Sequence, residues 1–151
     1  MSNLQMMNDV KIAYNGGYRQ TIKSPDDIAG VASSVLETEG IYAVFLDTKN
    51  NVNGIFGFND VSIPTNSLSL KQSEEWGKEV IKLGYLMNSR SIAFVMYSLN
   101  KDRPNVAERI NIFTSSFITM QNYYDIAGLE LLDIVTYFLA EDTYTSVREA
   151  N

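Results

Sequence analysis

The chain has 151 residues, 45% of them hydrophobic, and its 12 basic and 18 acidic residues give a net charge of −6. This length is typical of one domain with one core, so we expect residues 1–151 to form a single domain. The absence of cysteine and histidine excludes disulfides, a thiolate nucleophile and an imidazole base or metal ligand. The acidic balance disfavours binding to nucleic-acid phosphate or to an anionic membrane.

The first element predicted from the chain is a hairpin, in which the β-rich runs 8–14 and 18–22 flank Asn15-Gly16-Gly17. This glycine pair lacks the G-x-G-x-x-G context that cradles phosphates, so we expect a turn and no cofactor. Ser24 is suited to cap the amino end of a helix, and a proline and two aspartates follow it. This pattern predicts a helix over 25–37.

Two strands and a long helix come next. The apolar run 41–46 ends in the turn-forming segment 47–51, which predicts a central strand, and 52–61 returns beside it. An amphipathic helix is predicted over 68–87, because apolar residues recur there at spacings of three or four. Its apolar stripe consists of Trp76, Val80, Leu83 and Met87. We interpret Trp76 as a core residue; the alternative is an interface anchor.

The second half begins with a buried strand over 91–97, followed by a polar loop over 98–105. Apolar residues at spacings of three or four then predict a helix to about residue 126, which Gly128 would end. No segment approaches the roughly 20 apolar residues of a membrane-spanning helix, and the first residues do not resemble a signal peptide. We therefore expect a cytoplasmic protein that does not associate with membranes.

Two final strands, 129–139 and 143–147, complete the predicted elements, with a turn at 140–142 between them. The order of elements predicts an α/β domain, more specifically an α+β arrangement with a mixed sheet that carries helices on its faces.

Four stretches in this order and spacing resemble the RadC-type branch of the JAB/MPN (JAMM) domain family. They are KSPDDI at 23–28, YAVFLDTKNNV at 42–52, SIAFVMY at 91–97, and GLELLD with TYTSVREA at 128–133 and 143–150. The resemblance covers most of the chain. It implies a cytidine-deaminase-like, three-layer fold in which helices flank a mixed sheet, and it implies that the tail 148–150 belongs to a closing strand.

In that family an H-x-H pair after a central strand and a later aspartate hold zinc, and a glutamate ahead of the first central strand acts on the bound water. The resemblance places the two histidine positions at Tyr97 and Leu99 and the aspartate position at Ile110. Leucine and isoleucine offer no donor atom, and a tyrosine would have to ionise far below its usual pKa of about 10. The family's histidine after LLD is replaced by Ile134. Only Glu39 matches a catalytic position.

Glu39 and several serines allow other chemistry to be considered. Glu39 could act as an acid or base in a carboxylate dyad; its candidate partners are Asp102, Glu108 and Asp133. A solvated loop carboxylate is the interpretation we favour. The serines at 91, 98, 115 and 116 have no histidine partner, and only a pairing with Lys101 is conceivable. These hypotheses leave a metal-independent hydrolase as an alternative function.

Two groups of residues are candidates for contacts with a partner. Lys101, Asp102 and Arg103 lie where the family's zinc loop would be and could bind an anion or an acidic partner, although a plain solvated loop also explains them. Tyr123 and Tyr124 cannot both face the core, because adjacent helical residues point about 100° apart. One of them is therefore predicted to be exposed.

We expect a catalytically inactive protein that binds another protein, either a host effector or a second copy in a homodimer. The resemblance implies an accessory or anti-defence role, for example an anti-CRISPR type of inhibitor on a phage or mobile element. An acidic surface suits a basic partner. The alternatives are the hydrolase that uses Glu39 and a DNA-repair accessory that binds DNA directly.

Overall fold

A computed structural model describes residues 10–12, 20–58, 70–102 and 121–150. Its elements are β1 (Val10–Ile12), α1 (Pro25–Val35), β2 (Gly40–Leu46), β3 (Val52–Phe58), α2 (Leu70–Leu86), β4 (Ser91–Ser98), β5 (Glu130–Phe138), β6 (Thr143–Ser146) and α3 (Val147–Ala150). Residues 121–126 are also helical. No helix in the described part of the chain is long and apolar enough to cross a membrane.

The six strands form one mixed sheet in the order β1-β3-β2-β4-β5-β6. β4 and β5 are parallel, and every other neighbouring pair is antiparallel. The predicted mixed sheet flanked by helices is therefore confirmed. Because β4 and β5 are parallel, their carboxyl ends meet at one edge of the sheet. β2 runs the other way and begins at that same edge, where Gly40 pairs with Tyr97.

Successive residues of each strand point to opposite faces of the sheet, and they contribute to two hydrophobic cores, one on each face. On one face, α1 packs Ile28, Val31 and Ala32 against a core that includes Tyr42 and Tyr97. On the other face the core consists of strand residues together with Val80, Leu83, Tyr124 and Leu129. The near-continuous apolar runs of β2 and β4 follow from this position, because both of their faces are buried.

The beginning and the end of α1 have local causes. The Asp27 carboxylate accepts a hydrogen bond from the Lys23 N–H at 2.7 Å. The predicted cap, Ser24, makes no side-chain cap bond, and its carbonyl accepts from the Asp27 N–H at 3.0 Å. The helix ends two residues before the predicted boundary because Leu36 turns into an extended conformation, which buries its side chain in the core.

The turn between β2 and β3 forms as its sequence predicts. One carboxylate oxygen of Asp47, Oδ1, accepts hydrogen bonds from the N–H groups of Lys49 and Asn51 at 2.8 and 2.9 Å. Asn50 adopts a positive φ of 62°, a conformation in which asparagine is several-fold enriched. The polar segment therefore reverses the chain within five residues.

Two predictions are wrong in the described residues: the pairing of two strands near the start of the chain, and a strand at its end. The arms of the predicted hairpin do not pair with each other there: β1 pairs with β3, and residues 20–22 lie beside residues 50–52. The glycine turn of that hairpin lies outside the described residues. At the other end of the chain, β6 stops at Ser146 and 147–150 form a helical turn instead of a strand.

Candidate functional site at the carboxyl ends of the parallel strands

The carboxyl ends of β4 and β5 bring two loops together, 98–102 and 139–142. The N–H of Leu139 donates to the Ser98 carbonyl at 3.0 Å, and the N–H of Ala140 donates to the Leu99 carbonyl at 2.8 Å. These bonds tie the loops into one surface. In open α/β sheets ligands bind outside the carboxyl ends of the strands, so this edge is the first place to look for a site.

Glu39 lies at this edge because it directly precedes β2. Its Oε2 accepts a hydrogen bond from the backbone N–H of Leu99 at 3.0 Å. The structure therefore brings together three of the four positions that the sequence associates with the family's active site, namely Glu39, Tyr97 and Leu99. The fourth position, Ile110, lies outside the described residues.

Tyr97 and Leu99 fill their positions in different ways. Tyr97 is 2% exposed, and its ring stacks on Tyr137 with 5.8 Å between the ring centroids. Burial, with smaller contributions from Tyr42 and Glu37, raises the pKa of Tyr97, so the phenolate that a metal would need is disfavoured. Leu99 is 39% exposed and has no donor atom. Ile134 is buried in the core. Among the described residues, no three acidic side chains converge as a metal site requires.

The surface that remains combines apolar and acidic groups. Leu99 and Leu139 are 39% and 43% exposed and lie on the two hydrogen-bonded loops. Both carboxylate oxygens of Glu141 accept from the Lys101 N–H at 3.3 Å. The Lys101 ammonium lies 5.8 Å from the centre of the Phe138 ring. We call Glu39, Leu99, Lys101, Leu139 and Glu141 the leucine surface.

The predicted contact residues have different outcomes. Lys101 is exposed within the leucine surface, Asp102 is exposed beside it, and Arg103 lies outside the described residues. Of the two adjacent tyrosines, Tyr124 is excluded as a contact residue, because it is fully buried and its ring lies 6.0 Å from that of Phe94. Burial raises its pKa well above the ordinary range. Tyr123 is half-buried, as expected for the neighbour of an inward-facing helical residue.

Comparison with protein-family models and with curated proteins finds no match. The RadC-like resemblance therefore stays a prediction.

The serine–lysine grouping does not assemble among the described residues, and Asp133 is engaged elsewhere. The Ser98 hydroxyl donates to the Asn100 carbonyl at 3.2 Å, while the Lys101 ammonium lies over Phe138, so no serine–lysine pair forms there. Ser91 is buried, and its hydroxyl has no hydrogen-bond partner within the described part of the chain. Asp133 is buried at the amino end of α3, where it accepts the Arg148 N–H. Glu108, Ser115, Ser116 and the side chain of Trp76 lie outside the described residues.

A second feature, which sequence analysis missed, is a cleft between α1 and the β5–β6 hairpin. Its volume is about 450 Å³. It is lined by Asp26, Ala29, Gly30, Ser33, Tyr137, Asp142, Thr143 and Tyr144. We call it the tyrosine cleft, because Tyr137 and Tyr144 line it and are direct partners across β5 and β6; Tyr97 is the partner of Tyr137 on β4. Strand alternation predicts the face of each tyrosine, but only the register of the strands aligns them.

The hydroxyl of Tyr137 donates to the Asp142 carboxylate at 2.6 Å. Burial, this hydrogen bond and the charge of Asp142 raise the pKa of Tyr137 to about 12. An unfolded tyrosine loses its proton near pH 10, whereas the folded protein retains it to about pH 12. Protonated Tyr137 therefore makes its full contribution to the free energy of unfolding below pH 10. As the pH rises towards 12, this contribution falls by roughly 2 kcal/mol.

Tyr137→Phe should reveal this linkage in urea unfolding between pH 8 and 12. At pH 8 the variant should be less stable by about 1 kcal/mol, because the hydrogen bond to Asp142 is lost. Above roughly pH 11 it should become the more stable protein, since phenylalanine does not titrate. Parallel stability curves for the two proteins would contradict the assignment.

Proposed function

We propose that the protein is a catalytically inactive, RadC-like JAB/MPN domain of cytidine-deaminase-like, three-layer type, and that it acts as a protein-binding module through the leucine surface. The observation that carries the proposal is the pair of exposed leucines, Leu99 and Leu139, on loops joined by backbone hydrogen bonds. Exposed apolar groups surrounded by polar groups are typical of surfaces that bind other proteins.

The position of Glu39 supports the family assignment. The resemblance requires a glutamate before the first central strand to lie close to the end of a second strand. β2 and β4 are neighbours, and the Glu39 carboxylate lies 3.0 Å from the Leu99 nitrogen. This proximity depends on the pairing of β2 with β4, which the sequence stretches alone do not determine.

The surroundings of Glu39 also support a loss of catalysis. The family's mechanism needs a glutamate that acts on a metal-bound water, whereas here no histidine is present to hold the metal, and Oε2 of Glu39 accepts a backbone N–H. The residues at the two histidine positions are a buried, stacked tyrosine and a leucine. We infer that this carboxylate serves to hold the 98–102 loop in place.

The charge of the surface points to a basic partner. Glu39 and Glu141 belong to the leucine surface and Asp102 lies beside it, whereas Lys101, whose ammonium lies over Phe138, is the one cation among the described residues of this surface. Acidic groups around an apolar centre favour a basic protein with an exposed apolar group. An anti-defence role against a host nuclease system in the cytoplasm is the specific form that the resemblance suggests.

Affinity capture from lysate of the native host, followed by mass spectrometry, tests the proposal. The wild type should retain one stoichiometric partner, and the double variant Leu99→Asp/Leu139→Asp should lose it. The matched control is Ile126→Asp, because Ile126 is 87% exposed and precedes β5, away from the carboxyl ends of the strands. Equal capture by the double variant would reject the leucine surface, and the absence of any stoichiometric partner would reject the binding module.

A further inference from the structure

We propose that the tyrosine cleft binds the guanidinium group of an arginine side chain that another polypeptide presents. This inference does not depend on the proposed function, because the cleft lies between α1 and the β5–β6 hairpin and includes no residue of the leucine surface. It rests on the shape of the cleft, on the charges around it and on its aromatic lining.

The cleft has a structural cause in the sequence of α1. Beyond Asp26 in its first turn, the side of this helix that lines the cleft carries small residues, Ala29, Gly30 and Ser33, above the tyrosines of β5 and β6. Small side chains leave the space between helix and sheet unfilled. The resulting volume of about 450 Å³ falls within the roughly 300–1,000 Å³ range of sites that hold small ligands, and it is ample for one long side chain.

The cleft is electrostatically suited to a cation. Asp26 and Asp142 line it, and neither forms an ion pair in the described part of the chain, where the single ion pair joins Lys82 and Glu79 on α2. Burial raises the pKa of Tyr144, and a hydrogen bond to Glu149 and the charge of Asp26 raise it further. The charge of Asp26 therefore acts on the Tyr144 hydroxyl, and the charge of Asp142 acts on the Tyr137 hydroxyl.

The choice of guanidinium follows from the groups that remain available. The Tyr137 hydroxyl occupies Oδ1 of Asp142, which leaves Oδ2 and the Asp26 carboxylate to accept further hydrogen bonds. A guanidinium presents five N–H donors in one plane and stacks on aromatic rings, here that of the half-buried Tyr144. The ammonium group of lysine is compact and more strongly hydrated, and it cannot stack on an aromatic ring as a planar guanidinium does.

The test is a titration followed by amide NMR, with acetyl-Gly-Arg-Gly-amide as the probe. Two further peptides replace arginine with citrulline, its uncharged isostere, or with lysine. The protein variants are Asp26→Asn/Asp142→Asn and, as a matched exposed control, Asp125→Asn. Asparagine at 142 keeps an acceptor for Tyr137 and tolerates the positive φ of 50°, so the variant removes charge while preserving the turn.

The arginine peptide should shift the amide resonances of the cleft residues, and this binding should weaken with added salt. Affinity should fall at least tenfold for the double variant and for the citrulline peptide, and it should be unchanged for Asp125→Asn. Equal binding of arginine and citrulline, an unaffected double variant, or shifts outside the cleft would overturn the proposal. Equal binding of lysine would overturn the preference for guanidinium. None of these results depends on the partner of the leucine surface.

Discussion

Replacing Asp133 with alanine is expected to lower the free energy of unfolding by roughly 3 kcal/mol, because hydrogen bonds to a charged group each contribute about 1.5–3 kcal/mol and are only partly additive. The carboxylate is 2% exposed. Its Oδ1 accepts the N–H groups of Ile134 and Arg148 at 2.7 and 2.9 Å, and its Oδ2 accepts the Ser146 hydroxyl. Alanine would leave three donors without this acceptor.

Chemical denaturation at pH 7 measures the loss of stability in Asp133→Ala, and two further variants serve as comparisons. Asp133→Asn keeps the size and one carbonyl oxygen, so it should lose about half as much stability as alanine. Glu130→Ala removes an exposed carboxylate from the same strand and should change stability by less than about 0.5 kcal/mol. A loss below about 1 kcal/mol for Asp133→Ala would show that the end of β6 and α3 do not depend on this carboxylate.

Gly57→Ala should cost about 1–3 kcal/mol, the usual range for adding atoms to a packed interior. Gly57 pairs directly with Tyr42 across β3 and β2. A Cβ at this position would lie 2.7 Å from Cε1 and 3.0 Å from Cδ1 of the Tyr42 ring. The ring cannot move away easily, because its hydroxyl donates to the Thr38 carbonyl at 2.6 Å and the ring lies in the core beneath α1.

Gly54→Ala in the same strand is the informative comparison. A Cβ there would approach the terminal methyl carbon of Met87 even more closely. The end of a methionine side chain is flexible, so it can move aside, and this substitution should cost less than Gly57→Ala. Thermal and denaturant unfolding of both variants would measure the difference. The opposite order would mean that the Tyr42 ring yields more readily than its hydrogen bond suggests.

Several features of the protein could be predicted from the sequence because their causes are local. The apolar runs of β2 and β4 exceed what a surface strand would carry, so burial on both faces could be inferred. The Asp47 turn and the left-handed Gly128, with φ of 82°, follow from the conformations that these residue types favour. The absence of histidine and cysteine excludes their chemistry in any fold.

Part of the candidate site could also be anticipated. The resemblance identified Glu39, Tyr97 and Leu99 as one group, and the structure places the Glu39 carboxylate on the Leu99 nitrogen. The resemblance did not identify Leu139 or Glu141. These residues belong to a turn that follows a strand parallel to β4, and such a turn lies at the same edge of the sheet as the end of β4. Placing the turn there requires knowledge that the two strands are parallel neighbours.

The tertiary structure alone decided the features that depend on pairing between distant segments. Hydrophobic periodicity reports whether a residue is buried, but it does not report which strand lies beside it or in which register. For this reason the pairing of β1 with β3, the inward orientation of Tyr124 and the hydrogen bonds of Asp133 had to be observed. The tyrosine cleft has the same origin, because small residues of α1 meet tyrosines more than a hundred positions away only after the sheet has formed.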